Sequence, residues 1–346
     1  MGTDVLVIVA DDMTGALDTA APFAARGLHT EVALTVDALA KALAAGPDVL
    51  SVNLASREKS PEDAHRLMGQ VMEILPADVR LFKKVDSRLK GHVSAELDAI
   101  PYERAIVAPA IPGFGRIVRN GHVEGFGVTT PISVAGALGA HAARSVIIDT
   151  ATDGDLEDAL DRAEAEGFDL LVGSRGLAEV LAARMSGRAE PELAAPPVGT
   201  GLFVIGSNDR ITLEQVERLR LLETVAYHPA PNGVLGAPDQ APSPIVLVQA
   251  VPGGEELPSE EAARNLAASV HPSLTERAET LLLCGGATAE TVLARMGIQS
   301  FRLEGECLPG LGLAYAGNQC IIAKSGGFGV PETLAMLAEK LSGARG

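Results

Sequence analysis

Short apolar runs alternate with amphipathic stretches along most of this chain. Val5–Ala10, Glu31–Val36, Val49–Leu54, Val79–Lys84 and Ala105–Ala108 read as buried strands. Thr14–Ala25, Pro61–Leu75 and Val93–Ile100 carry helical periodicity between them. Ser60, Pro61 and Asp63 supply an N-cap, a proline at the first helical position and an acidic first turn. The alternation continues through Val146–Ile148, Leu156–Ala165, Leu170–Val172 and Leu177–Met185. Such order predicts βαβ units and a mainly parallel sheet.

Periodicity then lapses from Gly187 to Gly201, where Pro191, Pro196 and Pro197 mark a linker. A second series follows: Leu202–Ile205, Thr212–Leu221, Ile245–Val248, Glu261–Val270, Leu281–Cys284, Ala289–Met296, Phe301–Leu303, Cys320–Ala323 and Pro331–Leu341. Pro229–Pro244 reads as a loop within it. The expectation is two α/β domains, residues 1–195 and 196–346, each a mainly parallel sheet flanked by helices, with the active site in the cleft between them.

Composition narrows the function. Aromatics make up 3% of the 346 residues and Trp is absent, which leaves little for stacking nucleic-acid bases. The formal charge of −17 and the lack of a Lys/Arg run argue against nucleic-acid partners. Cys284, Cys307 and Cys320 are too far apart for a CxxC zinc or redox motif, and no metal site is expected. The first ten residues lack a basic leader, and no apolar run approaches a membrane span, so a cytoplasmic location is expected. The oligomeric state is left open, a homo-oligomer included.

Open parallel sheets bind ligands beyond the carboxyl ends of their strands. The first predicted strand exits into Asp11 and Asp12. Thr14 could cap the following helix alone, which would leave a carboxylate as general base or hydroxyl acceptor. A fourth strand runs into Lys83-Lys84-Val85-Asp86-Ser87-Arg88-Leu89-Lys90-Gly91. Alternation sends Lys83 and Lys84 to opposite faces. Asp86, Arg88 and Lys90 offer an acid for hydroxyls and cations for a carboxylate, or simply a solvated loop. His92 reads as a helix-start residue. At a third exit, prolines and glycines fix a loop from which Arg116 and Asn120 emerge.

The second half has glycine-rich strand-to-helix turns at Gly206–Asn208, Gly285–Thr288 and Lys324–Gly329. Such turns let peptide N–H groups approach phosphate, although ordinary turns use glycine too. None fits the P-loop or the dinucleotide fingerprint. Gly173–Gly176 is a fourth turn of the kind.

These clusters, in this order, resemble the four-carbon acid sugar kinase family. The matching stretches are ADDMTGALDTA (10–20), KKVDSRLKGHVSAELDA (83–99), APAIPGFGRIVRNGHV (108–123), GSRGLAEVLA (173–182), VIGSNDRITLEQ (204–215), CGGATAETVL (284–293) and KSGGFGVPETL (324–334). The resemblance implies a sugar-acid-binding N-terminal domain, a nucleotide-binding C-terminal domain and ATP-dependent phosphorylation of a terminal hydroxyl, with Mg2+ accompanying the nucleotide. Carried over by motif, Asp12, Lys84, Asp86, Arg88 and Arg116 belong to the sugar-acid region. Ser207, Gly285, Gly286, Thr288, Gly326, Gly327 and Gly329 belong to the ATP region. Asp12 and Asp86 are the candidate bases, Asp12 the favoured one; Asp11 and Asn120 join the substrate residues.

The chain is shorter than the family pattern after Gly127 and around Pro229–Pro244, Arg88 stands where a small hydroxyl residue is usual, and Lys90 where Arg is. Altered sugar-acid specificity follows from those departures. Two other readings stay open on the sequence: a non-catalytic binder of the same fold, and a dehydrogenase on a similar plan.

Overall fold

Apolar runs become strands here because both faces of each sheet are covered, so nearly every strand residue must be apolar. The computed structural model describes residues 5–77, 79–236, 243–254 and 257–343. It divides into two units, Met1–Glu192 and Leu193–Gly346.

The strands of the first unit are β1 (Leu6–Ala10), β2 (Thr30–Ala33), β3 (Val49–Asn53), β4 (Arg80–Lys84), β5 (Ala105–Ala108), β6 (Arg116–Arg119), β7 (His122–Gly125), β8 (Ile132–Ser133), β9 (Ser145–Ile147) and β10 (Leu170–Gly173). Its helices are α1 (Met13–Ala24), α2 (Leu39–Leu43), α3 (Pro61–Ile74), α4 (Val93–Leu97), α5 (Val134–Leu138), α6 (Asp153–Glu166) and α7 (Arg175–Ser186). Parallel strands run in the order β2-β3-β1-β4-β10-β5-β9. The chain winds to one side of β1 and then returns to β4 on the other, which makes the β1/β4 exit a topological switch point. In register, Asn53 lies beside Ala10, and Lys84, Gly173 and Ala108 line up with one another, so these exits open along one edge.

The second unit adds β11 (Gly201–Ile205), β12 (Val225–Pro231), β13 (Ile245–Val251), β14 (Thr280–Cys284), β15 (Ser300–Leu308), β16 (Leu311–Ala316) and β17 (Gln319–Lys324). Its helices are α8 (Arg210–Leu219), α9 (Ser259–Val270), α10 (Gly286–Arg295) and α11 (Thr333–Ser342). The order is β12-β13-β11-β14-β17-β16-β15, parallel as far as β17. Ile205, Cys284 and Lys324 end their strands side by side. A core of Phe203, Ile205, Leu282, Ile322, Leu334 and Leu337 lies beneath them.

Two expectations need correction. Pro229–Pro231 is not loop but the end of β12; that strand is the sheet's edge, where a missing N–H is tolerated. Residues 237–242 of the expected Pro229–Pro244 loop lie outside the described residues. Antiparallel pairing also enters at β15–β16–β17 and in the separate β6–β7–β8 sheet, through short glycine-bearing turns that helix–strand alternation does not anticipate. Arg116 and Asn120 therefore sit on a hairpin. Among the described residues no helix is long and apolar enough to cross a membrane.

Candidate functional site

In the first unit the site begins where β1 ends. Asp12 is the N-cap of α1, and its Oδ1 accepts the Gly15 N–H at 2.8 Å. Thr14 is not the cap: it is already helical, and its hydroxyl donates to Asp12 Oδ2 at 2.8 Å. Asp11 is buried, and Arg57 holds it, donating from Nε and Nη2 to its two oxygens at 2.8 Å each. The third guanidinium nitrogen donates to Asp12 Oδ2 at 2.6 Å. Burial alone would push the Asp11 carboxyl up, but the Arg57 hydrogen bonds and the charges of Lys83, Arg57 and Lys84 outweigh it, and the group lies below the usual carboxylate range. For Arg57, burial opposes the charge, yet Asp11, Asp12 and Asp86 together raise its affinity for the proton. Gly91 closes over this pair with φ +91, and a β-carbon there would run into Asp11 Oδ2.

The consecutive lysines of β4 diverge, as alternation requires. Lys83 Nζ lies 2.7 Å from Glu96 Oε2 and donates to the Lys84 carbonyl at 2.8 Å; both side chains of the pair are sealed from solvent. Glu96 also accepts from Ser56 at 2.5 Å, which fixes the segment carrying Arg57. Lys84 turns the other way, toward α1. Its ammonium sits 3.1 Å from where a β-carbon of residue 15 would be. The residue is 5% exposed, yet its ammonium makes no hydrogen bond or ion pair among the described residues; Asp11 is its electrostatic neighbour.

Asp86 folds the next loop by accepting the Arg88 N–H on Oδ2 at 2.8 Å, and Leu89 turns through φ +56. Arg116 reaches this loop from β6, donating to Ser87 Oγ and, from Nε and Nη2, to the Phe126 carbonyl at 3.0 and 2.9 Å. Burial and the neighbouring charge of Arg88 depress the Arg116 pKa, against the opposing effect of Asp86. Asp11, Asp12, Lys84, Asp86, Arg88 and Arg116 thus form one cluster. Asn120 stands apart from it: with φ +49 it makes the β6–β7 turn, where Asp149 accepts the N–H groups of Asn120 and Gly121 at 2.7 and 2.9 Å. Lys90 is exposed. His92 is the N-cap residue of α4. The Gly173–Gly176 turn is packing: Ser174 donates to the carbonyls of Pro109 and Ala110.

In the second unit the three glycine turns meet. Gly285, at φ +104, precedes α10 without a side-chain cap, so the helix presents bare N–H groups at its positive end. The N–H groups of Ser207, Gly286, Ala287, Gly326 and Gly327 find no acceptor among the described residues. Ser207 Oγ packs against Gly326, and Thr288 Oγ1 against Gly206, so both hydroxyls knit the turns together. Gly329 turns at φ +89 beside Thr333. Beneath them Lys324 Nζ donates to the carbonyls of Ser325 and Gly326 at 3.0 and 3.1 Å and to Thr212 Oγ1 at 3.2 Å. Thr212 donates to Gly326 O at 2.6 Å, and Gln215 to the carbonyls of Phe328 and Val330 at 3.0 and 2.9 Å. With its carbonyls drawn inward, the turn is left with N–H groups to offer. Burial lowers the Lys324 pKa, against the raising influence of Cys284 and Asp209, and burial raises that of Cys284.

Residues 6–133 match the family model of a sugar-binding N-terminal domain, and residues 241–334 that of a nucleotide-binding C-terminal domain. The chain is 28% identical to a D-threonate kinase of Bordetella bronchiseptica, over 99% of this chain and 98% of the relative. The two matched domains are, in the same order, those that the resemblance to the four-carbon acid sugar kinase family implies. A D-threonate kinase of Cupriavidus necator is 29% identical, with 89% of each chain covered, and a D-erythronate kinase of Heliobacterium modesticaldum 27%, with 61% of this chain and 59% of the relative covered. A Haemophilus influenzae protein shares the fold with a TM-score of 0.70 at 20% identity, covering 98% of this chain and 99% of its own. The alignment with the Bordetella kinase runs to 405 positions against 346 residues here, so that relative has segments this chain lacks.

Arg57, Glu96, Thr212 and Lys324 are members of this architecture that motif reading passed over. Arg57 follows a predicted strand and Lys324 ends one, so the strand-exit rule reaches both. Nothing in the sequence distinguishes Glu96 from a surface acid of a short helix.

Proposed function

We propose that this protein is a kinase that uses ATP to phosphorylate the terminal hydroxyl of a small, four-carbon sugar acid. Residues 1–195 would bind the acid and residues 196–346 the nucleotide. The observation that carries the proposal is Lys84, a nearly buried ammonium with no ion pair among the described residues, at a strand exit shared with two aspartates and the Arg88–Arg116 pair. An ammonium so desolvated favours an anionic ligand. Arginine forks suit a carboxylate, and the aspartates suit hydroxyls.

Asp12 would act as general base. It is 23% exposed, and Oδ1 keeps an accepting direction beyond its bond to Gly15. Asp86, with Oδ1 unused among the described residues, would orient the remaining hydroxyls. Ser207, Gly285, Gly286, Thr288, Gly326, Gly327 and Gly329 would form the phosphate-binding turns, since phosphoryl transfer rests chiefly on positioning and charge stabilisation. Among the described residues no cluster of three His, Cys, Asp or Glu could cage a metal ion. Asp209 is the carboxylate beside Gly327, and one carboxylate suits a Mg2+ ion brought in on nucleotide phosphates, where it would neutralise their charge.

The test is a coupled ADP-release assay with Mg·ATP and a panel of three- to six-carbon sugar acids. Release stimulated by one acid and abolished in Asp12→Asn supports the kinase. Nucleotide binding without release for any acid would favour the non-catalytic binder instead.

A further inference from the structure

The kinase reading leaves three cations, Lys84, Arg88 and Arg116, without separate duties. We infer that Lys84 and the N-terminus of α1 form a seat for the transferred phosphoryl group, and that Arg88 and Arg116 take the substrate's carboxylate. The inference rests on that reading and fixes the direction in which the sugar acid lies.

Three observations separate the two ends. Lys84 is 5% exposed, its ammonium has no partner among the described residues, and it stands beside Gly15 in the first turn of α1. Helix α1 is 12 residues long, and the N–H groups of Met13 and Thr14 find no acceptor among the described residues. A point-like ammonium beside a helix's positive end suits a phosphoryl group, whose oxygens point in several directions. Asp12, the proposed base, is the N-cap of that same helix, so the hydroxyl it would activate lies next to the seat.

The other end has different chemistry. Arg116 is held in one orientation by Ser87 and by two bonds to the Phe126 carbonyl, with further N–H groups unused among the described residues. The charge of Arg88 bears directly on it. Two guanidinium groups that repel each other are relieved by an anion between them, and a planar carboxylate can accept from both. The loop that carries Arg88 is built on Asp86, a hydroxyl acceptor that lies between Lys84 and Arg88 in the sequence.

The test uses the full chain labelled with 13Cε-lysine. The Lys84 resonance is assigned by its loss in Lys84→Met and, independently, in Lys84→Arg. Inorganic phosphate is expected to shift this resonance saturably, both in the unmutated chain and in Arg88→Gln. Calorimetry with D-threonate is expected to show binding weakened by about 10- to 100-fold in Arg88→Gln, the loss of one charge-assisted contact, and little changed in Lys84→Met.

A Lys84 resonance indifferent to phosphate would overturn the seat, and this measurement needs only the unmutated protein once the signal is assigned. Loss of D-threonate binding in Lys84→Met, with Arg88→Gln unaffected, would reverse the assignment and overturn it too. A phosphate response at Lys84 in a chain that binds none of the sugar acids would support the seat while sinking the substrate reading above, so the two can fail separately.

Discussion

Arg57 grips Asp11 with two parallel hydrogen bonds of 2.8 Å, from a position 46 residues further along the chain. The same guanidinium reaches Asp12, so the two acids at the β1 exit are set by one cation. Replacing it leaves Asp11 buried without its partner. We expect Arg57→Ala to destabilise the protein by about 3 kcal/mol, the lower end for breaking a buried pair because Arg57 is 22% exposed. Urea unfolding at pH 7 measures this. A loss under about 0.5 kcal/mol, the scale of an ordinary surface change, would mean the clamp is dispensable.

The clamp also predicts a pH dependence. Asp11 titrates below its ordinary value in the folded chain, so its stabilising contribution is complete above about pH 4, the unfolded range. It is lost as pH falls through the folded value. The stability difference between the native sequence and Arg57→Ala should therefore stay constant from pH 7 to about pH 5 and shrink below about pH 4. Unfolding curves across that range check it; a difference that grows toward acid would contradict the sign.

The fold was legible where both sheet faces are buried, because runs such as Val49–Asn53 and Thr280–Cys284 have no other plausible use. It was not legible at β12, whose prolines read as loop, or at β16, where glycine-bearing strands of the hairpin lack a helix to announce them. In the site, Asp11, Asp12, Lys84, Asp86, Arg88 and Arg116 stood out because strand exits concentrate them. Arg57 did not: its partners are distant in sequence, and an isolated Arg in a polar segment looks solvated. Asn120 emerges on a hairpin away from that cluster, because an Asn-Gly pair supplies the left-handed residues of a two-residue turn.

Lys83 and Glu96 form the least accessible ion pair here, and Ser56 completes it. Removing one partner strands the other charge. Lys83→Met should cost about 3–5 kcal/mol, and the double variant Lys83→Met with Glu96→Leu should recover part of that loss. A double-mutant cycle by chemical denaturation gives both values. If the single variant were neutral, the pair would not be what anchors the Arg57 segment.

The two candidate carboxylates should separate kinetically if the kinase assignment holds. Asp12→Asn removes the proposed base and should lower kcat by roughly 10²–10⁴-fold, with little change in the KM for the sugar acid. Asp86→Asn removes a hydroxyl acceptor that acts in ground state and transition state alike, and should act mainly on KM. The reverse pattern in steady-state kinetics would transfer the role of base to Asp86.

Lys324 offers the corresponding experiment in the second unit. It touches no open surface, being 1% exposed, and its bonds go to Thr212, to Cys284 Sγ and to the carbonyls of Ser325 and Gly326. Its effect on nucleotide must therefore be indirect: it turns the carbonyls inward so that the N–H groups of Gly326 and Gly327 remain on offer. Lys324→Met keeps the volume and removes a costly buried charge, so its effect on stability is the small difference between two opposing changes. Its effect on the turn is one-sided, because the Ser325 carbonyl loses its lysine donor and the Gly326 carbonyl is left with Thr212 alone. We expect nucleotide affinity to fall by about tenfold, the equivalent of one hydrogen bond to a charged group, with sugar-acid affinity unchanged. Calorimetry with each ligand separates the two. Equal weakening of both would point to general unfolding, and no weakening of either would show that the turn holds its shape without the lysine.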